Sequence, residues 1–238
     1  MKLTNPVFSK KRMCGVYNVS NAMSVQGAVN KTGILTAVLF LAAGWMWYNQ
    51  PVGTISGYVI GAAIAGFVIA LVTVFNPRIS PFTSIIYAAL EGITLGGISA
   101  FSELTHPGIV TKAVTITFCI LFSMLLIYKF QIIRVTSQFY SGVVAATGGI
   151  CLMYLFNLVI GFWGVQIPYL HEGGGWFGIL ISLAIIVIAS LNLILDFHNI
   201  EEMAEHRAPK YMEWYGAFGI MITMVWLYLE VLKLLKRK

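Results

Sequence analysis

Three carboxylates stand in sequence surroundings that should exclude water, and a fourth, Glu213, stands at the edge of the last apolar stretch. Glu91 lies in SIIYAALEGITLGG, Asp196 in SLNLILDFHN, and Glu213 and Glu230 at the two ends of EWYGAFGIMITMVWLYLE. A carboxylate at the centre of a hydrocarbon layer costs about 2.5–3.5 kcal/mol or more, which makes each of the three a candidate for function. The chemistry open to them is exchange of protons and cations. Burial favours the neutral carboxyl and a second carboxyl nearby favours it further, so such a pair can change protonation near neutral pH. When protonated, the pair can share a hydrogen bond and hold helices together. When ionised, it repels itself and attracts cations, with Ca²⁺ favoured because a hard divalent ion suits oxygen ligands.

Spacing supplies each group with neighbours. Counted by threes and fours, Ser84, Tyr87, Glu91 and Thr94 share one helix face, and Asn192 and Asn199 share the face of Asp196. Glu91 and Asp196 are therefore the expected ion pathway and pH sensor, with Tyr87, Asn192 and Asn199 as polar lining and Ca²⁺ held there only in passing. Glu213, at the depth of Asp196, reads either as an exposed interfacial charge or as a third member of the sensor. Glu230 precedes Lys233 by three residues, which suits a snorkelling interfacial ion pair as well as a place in the pathway. On depth, Glu91 is expected to couple to Asp196 more strongly than Glu230 does. Arg78 is the nearest strong cation to the cytoplasmic mouth, and it reads equally as a latch on a carboxylate or as a determinant of topology.

Other chemistries lack their parts. His106, His171, His198 and His206 form neither HxxxH nor HExxH, and no GxSxG occurs. Cys14, Cys119 and Cys151 are scattered and form no CxxC, so neither a disulfide framework nor a metal site follows from them. The last apolar stretch has no lysine at mid-depth to carry a retinal Schiff base. Glu201, Glu202, Glu205, His206 and Arg207 read as a solvated inner loop able to gather cations. An enzyme is not expected, nor a cofactor beyond Ca²⁺ as the transported ion.

The composition states what must position these groups. Of 238 residues, 58 % are hydrophobic and 10 % charged, against about 25 % charged in an ordinary soluble domain. Mean hydropathy is +0.83. A span needs about 20 apolar residues, and apolar stretches run over 32–48, 55–75, 82–101, 110–128, 139–164, 176–198 and 214–235. The expected fold class is thus an all-α membrane protein, a seven-transmembrane helical bundle. It divides into a polar cytoplasmic segment over 1–31, a membrane domain over 32–235 and a basic tail over 236–238. No cleavable signal is expected, because no apolar run flanks the first charges. Turn residues fill the connections at Asn49, Gln50 and Pro51, at Asn76 to Pro81, at His106 to Gly108 and at Gly173 to Gly175. Gly57, Gly61 and Ala65, and Ala88, Gly92, Gly96 and Ala100, form small-residue ridges that predict close helix packing.

Ten of the fifteen basic residues fall inside when the N-terminus is cytoplasmic. Seven complete crossings then put Lys233, Lys236, Arg237 and Lys238 outside, whereas a re-entrant segment would return them to the cytoplasm. The net charge of +6 accordingly reads as loop orientation and not as nucleic-acid binding. The expected partners are the lipid bilayer, Ca²⁺ and H⁺.

The run SPFTSIIYAALEGITLGGISA at 80–100 resembles the third-span signature of the Bax inhibitor-1 superfamily, and 190–235 looks like its last two spans. The opening MSVQGAVNKTGILTAVLF is similar to a bacterial branch of that family. The resemblance covers about 23–235. It implies six helices wrapped around a central last helix, acting as a pH-sensitive Ca²⁺ leak channel. It also implies an aspartate sensor in span 6, matching Asp196, and an arginine latch, for which Arg78 is the candidate. The family's partner aspartate lies in span 7. An ungapped count from Asp196 puts that position at Met221, whereas the likeness of LYLE to the family's LYLD points to Glu230 across an insertion.

The expected function is a pH-sensitive Ca²⁺ or cation leak of a membrane, here the bacterial inner membrane. The alternative is a non-channel membrane protein that regulates a stress response or a protease through its helices.

Overall fold

A computed structural model describes residues 22–49, 55–161, 163 and 175–237 of the chain. The basic residues Lys2, Lys10, Lys11 and Arg12, together with Cys14, Gln50, Pro51, His171, Gly173, Gly174 and Lys238, lie outside the described residues. The described chain forms seven long helices: α1 (Val25–Asn49), α2 (Ile55–Phe75), α3 (Ser80–Thr105), α4 (Ile109–Lys129), α5 (Ser137–Gly161), α6 (Gly175–Glu205) and α7 (Met212–Lys236). All seven are long and apolar enough to cross a membrane. In hydrocarbon the backbone must satisfy its own polar groups, and a helix does so within one segment.

Two helices outrun their apolar stretches. α1 begins at Val25, seven residues before the stretch at 32–48, and α6 continues to Glu205, seven residues past 198. Hydropathy marks where a helix meets hydrocarbon, while polar residues such as Gln26, Asn30, Glu201 and Glu202 extend the same hydrogen-bonded ladder beyond it.

The connections carry local signals. Pro77–Ile79 forms one 3-10 turn between α2 and α3. Between α3 and α4, Gly108 takes φ +78°, a left-handed conformation that glycine adopts without steric cost. Glu103 then reaches forward to accept hydrogen bonds from the backbone N–H groups of Gly108 and Val110, satisfying donors that the start of α4 leaves open.

α7 is the central helix. It packs against α1, α3, α4 and α6, and Gly216, Ala217 and Phe218 are all buried in succession, which only a helix enclosed on several sides shows. α5 lies at the periphery, with only Val143 and Ile150 buried among its described residues. α2 packs on α3 and turns Phe67 and Phe75 outward. These exposed apolar residues form the lipid-facing surface.

The two small-residue ridges have different fates. On α3, a Cβ at Gly96 would stand 2.6 Å from the Ala43 carbonyl oxygen, and one at Gly92 would strike the backbone of α1 at Leu39. On α2, a Cβ at Gly57 or Gly61 meets nothing within 4 Å. The α3 ridge lets α1 approach closely, as its spacing predicts; the α2 ridge faces outward.

Candidate functional site

The level of the site is set at one end of the bundle. Ser80, the first residue of α3, donates its hydroxyl to the Tyr211 carbonyl oxygen just before α7, at 3.0 Å. Counting from this shared level, Glu91 lies about 17 Å along α3 and Thr223 about 18 Å along α7 at 1.5 Å per residue. Thr223 Oγ1 donates to Asp196 Oδ2 at 2.6 Å, which brings Asp196 to the same depth. Because α6 extends to Glu205, Asp196 lies about 14 Å in from the helix end. That is mid-bundle, deeper than the apolar stretch ending at 198 suggests.

Asp196 is half-buried and faces α7. Gly219 lies against it, where an added Cβ would stand 3.7 Å from Oδ1. Among the described residues no ion pair engages it; the ion pairs present are Lys31 with Glu213 and Lys233 with Glu230. One turn earlier, Asn192 donates to Thr147 Oγ1 of α5 at 2.7 Å and to the Ile188 carbonyl at 2.9 Å. Its role in place is to tie α6 to α5. Asn199 is half-buried beyond Asp196.

Glu91 is half-buried on α3 and turns toward α2, where its Oε1 would lie 3.4 Å from a Cβ at Gly66. Tyr87, one turn before, is buried, and its ring packs edge-on against Phe218 of α7, centroids 5.0 Å apart. Glu91 and Asp196 thus share a depth but occupy different helix interfaces, α2–α3 and α6–α7, and no hydrogen bond joins them. Arg78 is exposed, and no ion pair links it to any of the four carboxylates.

Glu213 is not an exposed interfacial charge. It is 2 % exposed and pairs with the Lys31 ammonium, while the Ser24 backbone N–H and hydroxyl donate to its Oε1 at 2.9 and 3.2 Å. Its carboxyl fills the space that a side chain at Gly27 would need. Ser24 also accepts from the Gly27 N–H at 3.0 Å, and Met23 N–H donates to the Ala208 carbonyl at 2.8 Å. The start of α1 is therefore clamped to the α6–α7 junction.

Glu230 does meet Lys233, at 3.4 Å, but in a buried setting, since it is 3 % exposed. The Tyr154 hydroxyl of α5 donates to the same Oε1. The Lys233 ammonium also reaches the Tyr154 oxygen at 3.2 Å and lies 4.8 Å from its ring centroid. Glu230 Oε2 and Asn157 Oδ1, one turn beyond Tyr154, have no partner among the described residues.

Sequence reasoning passed over Thr223, Tyr154, Lys31 and Ser24. The one available signal was Thr223 itself, a polar residue within the apolar run of α7. The other three are neutral or basic residues whose partners lie far away in sequence.

The profile of the family described as Bax inhibitor 1 like matches residues 5–237. The chain belongs to the Bax inhibitor 1 like family. No curated protein matches it. The enclosed last helix is the one that the resemblance implies for a Bax inhibitor 1 like protein. In this member the α7 group opposite Asp196 is Thr223, two residues from Met221, the position that an ungapped count selects, while Glu230 lies about 10 Å further along the helix.

Proposed function

We propose that this multi-pass membrane protein is a pH-sensitive cation leak, with Ca²⁺ as the favoured ion, and that Asp196 is its titrating group. The observation that carries the reading is the setting of Asp196: a mid-bundle carboxyl bonded to one neutral hydroxyl, on Thr223 at 2.6 Å, with no cationic side chain paired to it. A carboxylate so placed is neutralised by a proton or by a passing cation, and these compete. Glu91 at the same depth supplies a second cation-attracting group on a neighbouring interface, and Tyr87, Asn192 and Asn199 supply polar surface around them. The sign follows: ionised Asp196 admits cations, so flux falls as pH is lowered through its titration. No catalytic step and no bound cofactor belong to this reading, and a bacterial inner membrane is its proposed location.

The test is Ca²⁺ flux into liposomes holding the purified protein, measured across a pH series. Flux that falls with acidification in the wild type and is flat in Asp196→Asn supports the proposal; no flux above empty liposomes overturns it.

A second reading, a non-channel interaction protein, has one observation in its favour. The Gly57–Gly61 ridge of α2 faces open space and offers a surface on which a partner helix packs closely. Absence of flux together with partner capture that Gly57→Leu abolishes would favour it.

A further inference from the structure

Between α1, α3, α4 and α7 lies a cavity of about 250 Å³, walled by Leu39, Leu95, Val114, Met221, Met224 and Val225 among others. Four hydroxyl-bearing residues also line it, and each hydroxyl is already engaged. Thr36 and Thr117 donate to the Thr32 and Ala113 carbonyls, both at 2.8 Å, and Ser99 bonds Tyr228 at 2.6 Å. A water molecule entering would find too few free partners, and cavities of this kind stay dry and take up hydrocarbon. On the α1 side Phe40 and Trp47 line it while 45 % and 43 % exposed, and Phe40 stacks on Phe118 of α4, ring centroids 6.0 Å apart, so the mouth is placed at these exposed rings between α1 and α4. The cavity is thus continuous with the lipid-facing surface, the protein's established interface.

We infer that this cavity is a binding site for one acyl chain of a membrane phospholipid, inserted laterally between α1 and α4 to rest against α7. A hydrocarbon tail matches a wall that is mostly apolar and carries no charged side chain, and the phospholipid is its source because the mouth opens where bilayer tails already lie. The headgroup stays outside, since nothing charged lines the cavity. The bound tail touches Met221 and Val225, the residues that flank Thr223 on the central helix, so occupancy stabilises the position of α7 by mass action.

The test reconstitutes the full chain in vesicles containing phosphatidylcholine with a diazirine at the end of one acyl chain, followed by photolysis and mapping of adducts by mass spectrometry. Adducts on the inner wall, at Leu95, Met221, Met224 or Val225, are expected in the wild type. A Cβ at Gly44, which lines the cavity, meets nothing within 4 Å, and the same holds for Gly33 on the outer surface of the same helix. Gly44→Phe should therefore lose the inner adducts, as should Val114→Trp from the facing helix, while Gly33→Phe keeps them. Adducts confined to Phe40 and Trp47 in the wild type would overturn the site, as would inner adducts that persist in a folded Gly44→Phe. Inner labelling by a diazirine fatty acid with none from the phospholipid would overturn the assigned source. If neither plugging variant folds, the wild-type map alone decides.

Discussion

Ser80 Oγ donates to the carbonyl oxygen of Tyr211 at 3.0 Å, and this bond places the starts of α3 and α7 at one level of the bundle. It follows that Glu91, Asp196 and Thr223 occupy one layer, with Glu213 at one end of α7 and Glu230 toward the other. The carboxyls are therefore distributed over three depths.

At the middle layer, Asp196→Asn preserves shape and hydrogen bonding but cannot ionise. Ca²⁺ flux in liposomes should lose its pH dependence while the protein keeps its elution profile and helical content. Thr223→Val removes the 2.6 Å bond and should cost about 0.5–2 kcal/mol, the range for hydrogen bonds between helices in membranes, measured by unfolding in detergent. A pH profile in Asp196→Asn identical to the wild type would remove Asp196 from the sensor.

Within that layer, Glu91 lies level with Asp196 while Glu230 stands about 10 Å beyond it along α7. With Asp196 in place, the pH midpoint of flux reports any carboxylate that couples to it. Glu91→Gln should therefore shift that midpoint by more than Glu230→Gln does. The reverse order would transfer the second sensor position to Glu230, in line with its LYLE context.

At the clamp, Lys31→Met leaves the Glu213 carboxylate buried beside Ser24 without its cation. Breaking one side of a buried pair costs roughly 3–5 kcal/mol, so the variant should melt well below the wild type in detergent. Lys31→Met with Glu213→Leu removes both charges and should recover much of that loss. A double variant as unstable as the single one would show that packing of the α1 start, and not the ion pair, dominates there.

The two glycine ridges separate cleanly. Gly96→Ala would place its Cβ 2.6 Å from the Ala43 carbonyl oxygen, so α1 and α3 must part and thermal stability should fall. Gly57→Ala meets open space and gains helix propensity of up to about 1 kcal/mol, so stability should hold or rise. Equal losses at both positions would mean that the α2 ridge is also packed.

Number and type of elements were legible in the chain alone. A stretch of about 20 apolar residues admits only a self-bonded backbone in lipid, so hydropathy yields seven helices without knowledge of their neighbours. The same logic picks out Glu91, Asp196 and Glu230, because a carboxylate in an apolar run is costly wherever the run packs. The neighbour across each interface was not legible. Periodicity assigns Glu91 to a face but does not say that the face meets Gly66 of α2, and it places Gly57 and Gly92 in equivalent ridges of which only the second touches another helix. Glu213 reads as an interfacial charge until Ser24 and Lys31, nearly the length of the chain away, close over it. Lateral position in a bundle is decided by packing between helices distant in sequence. The chain determines which groups must leave water, and the tertiary structure decides what they meet there.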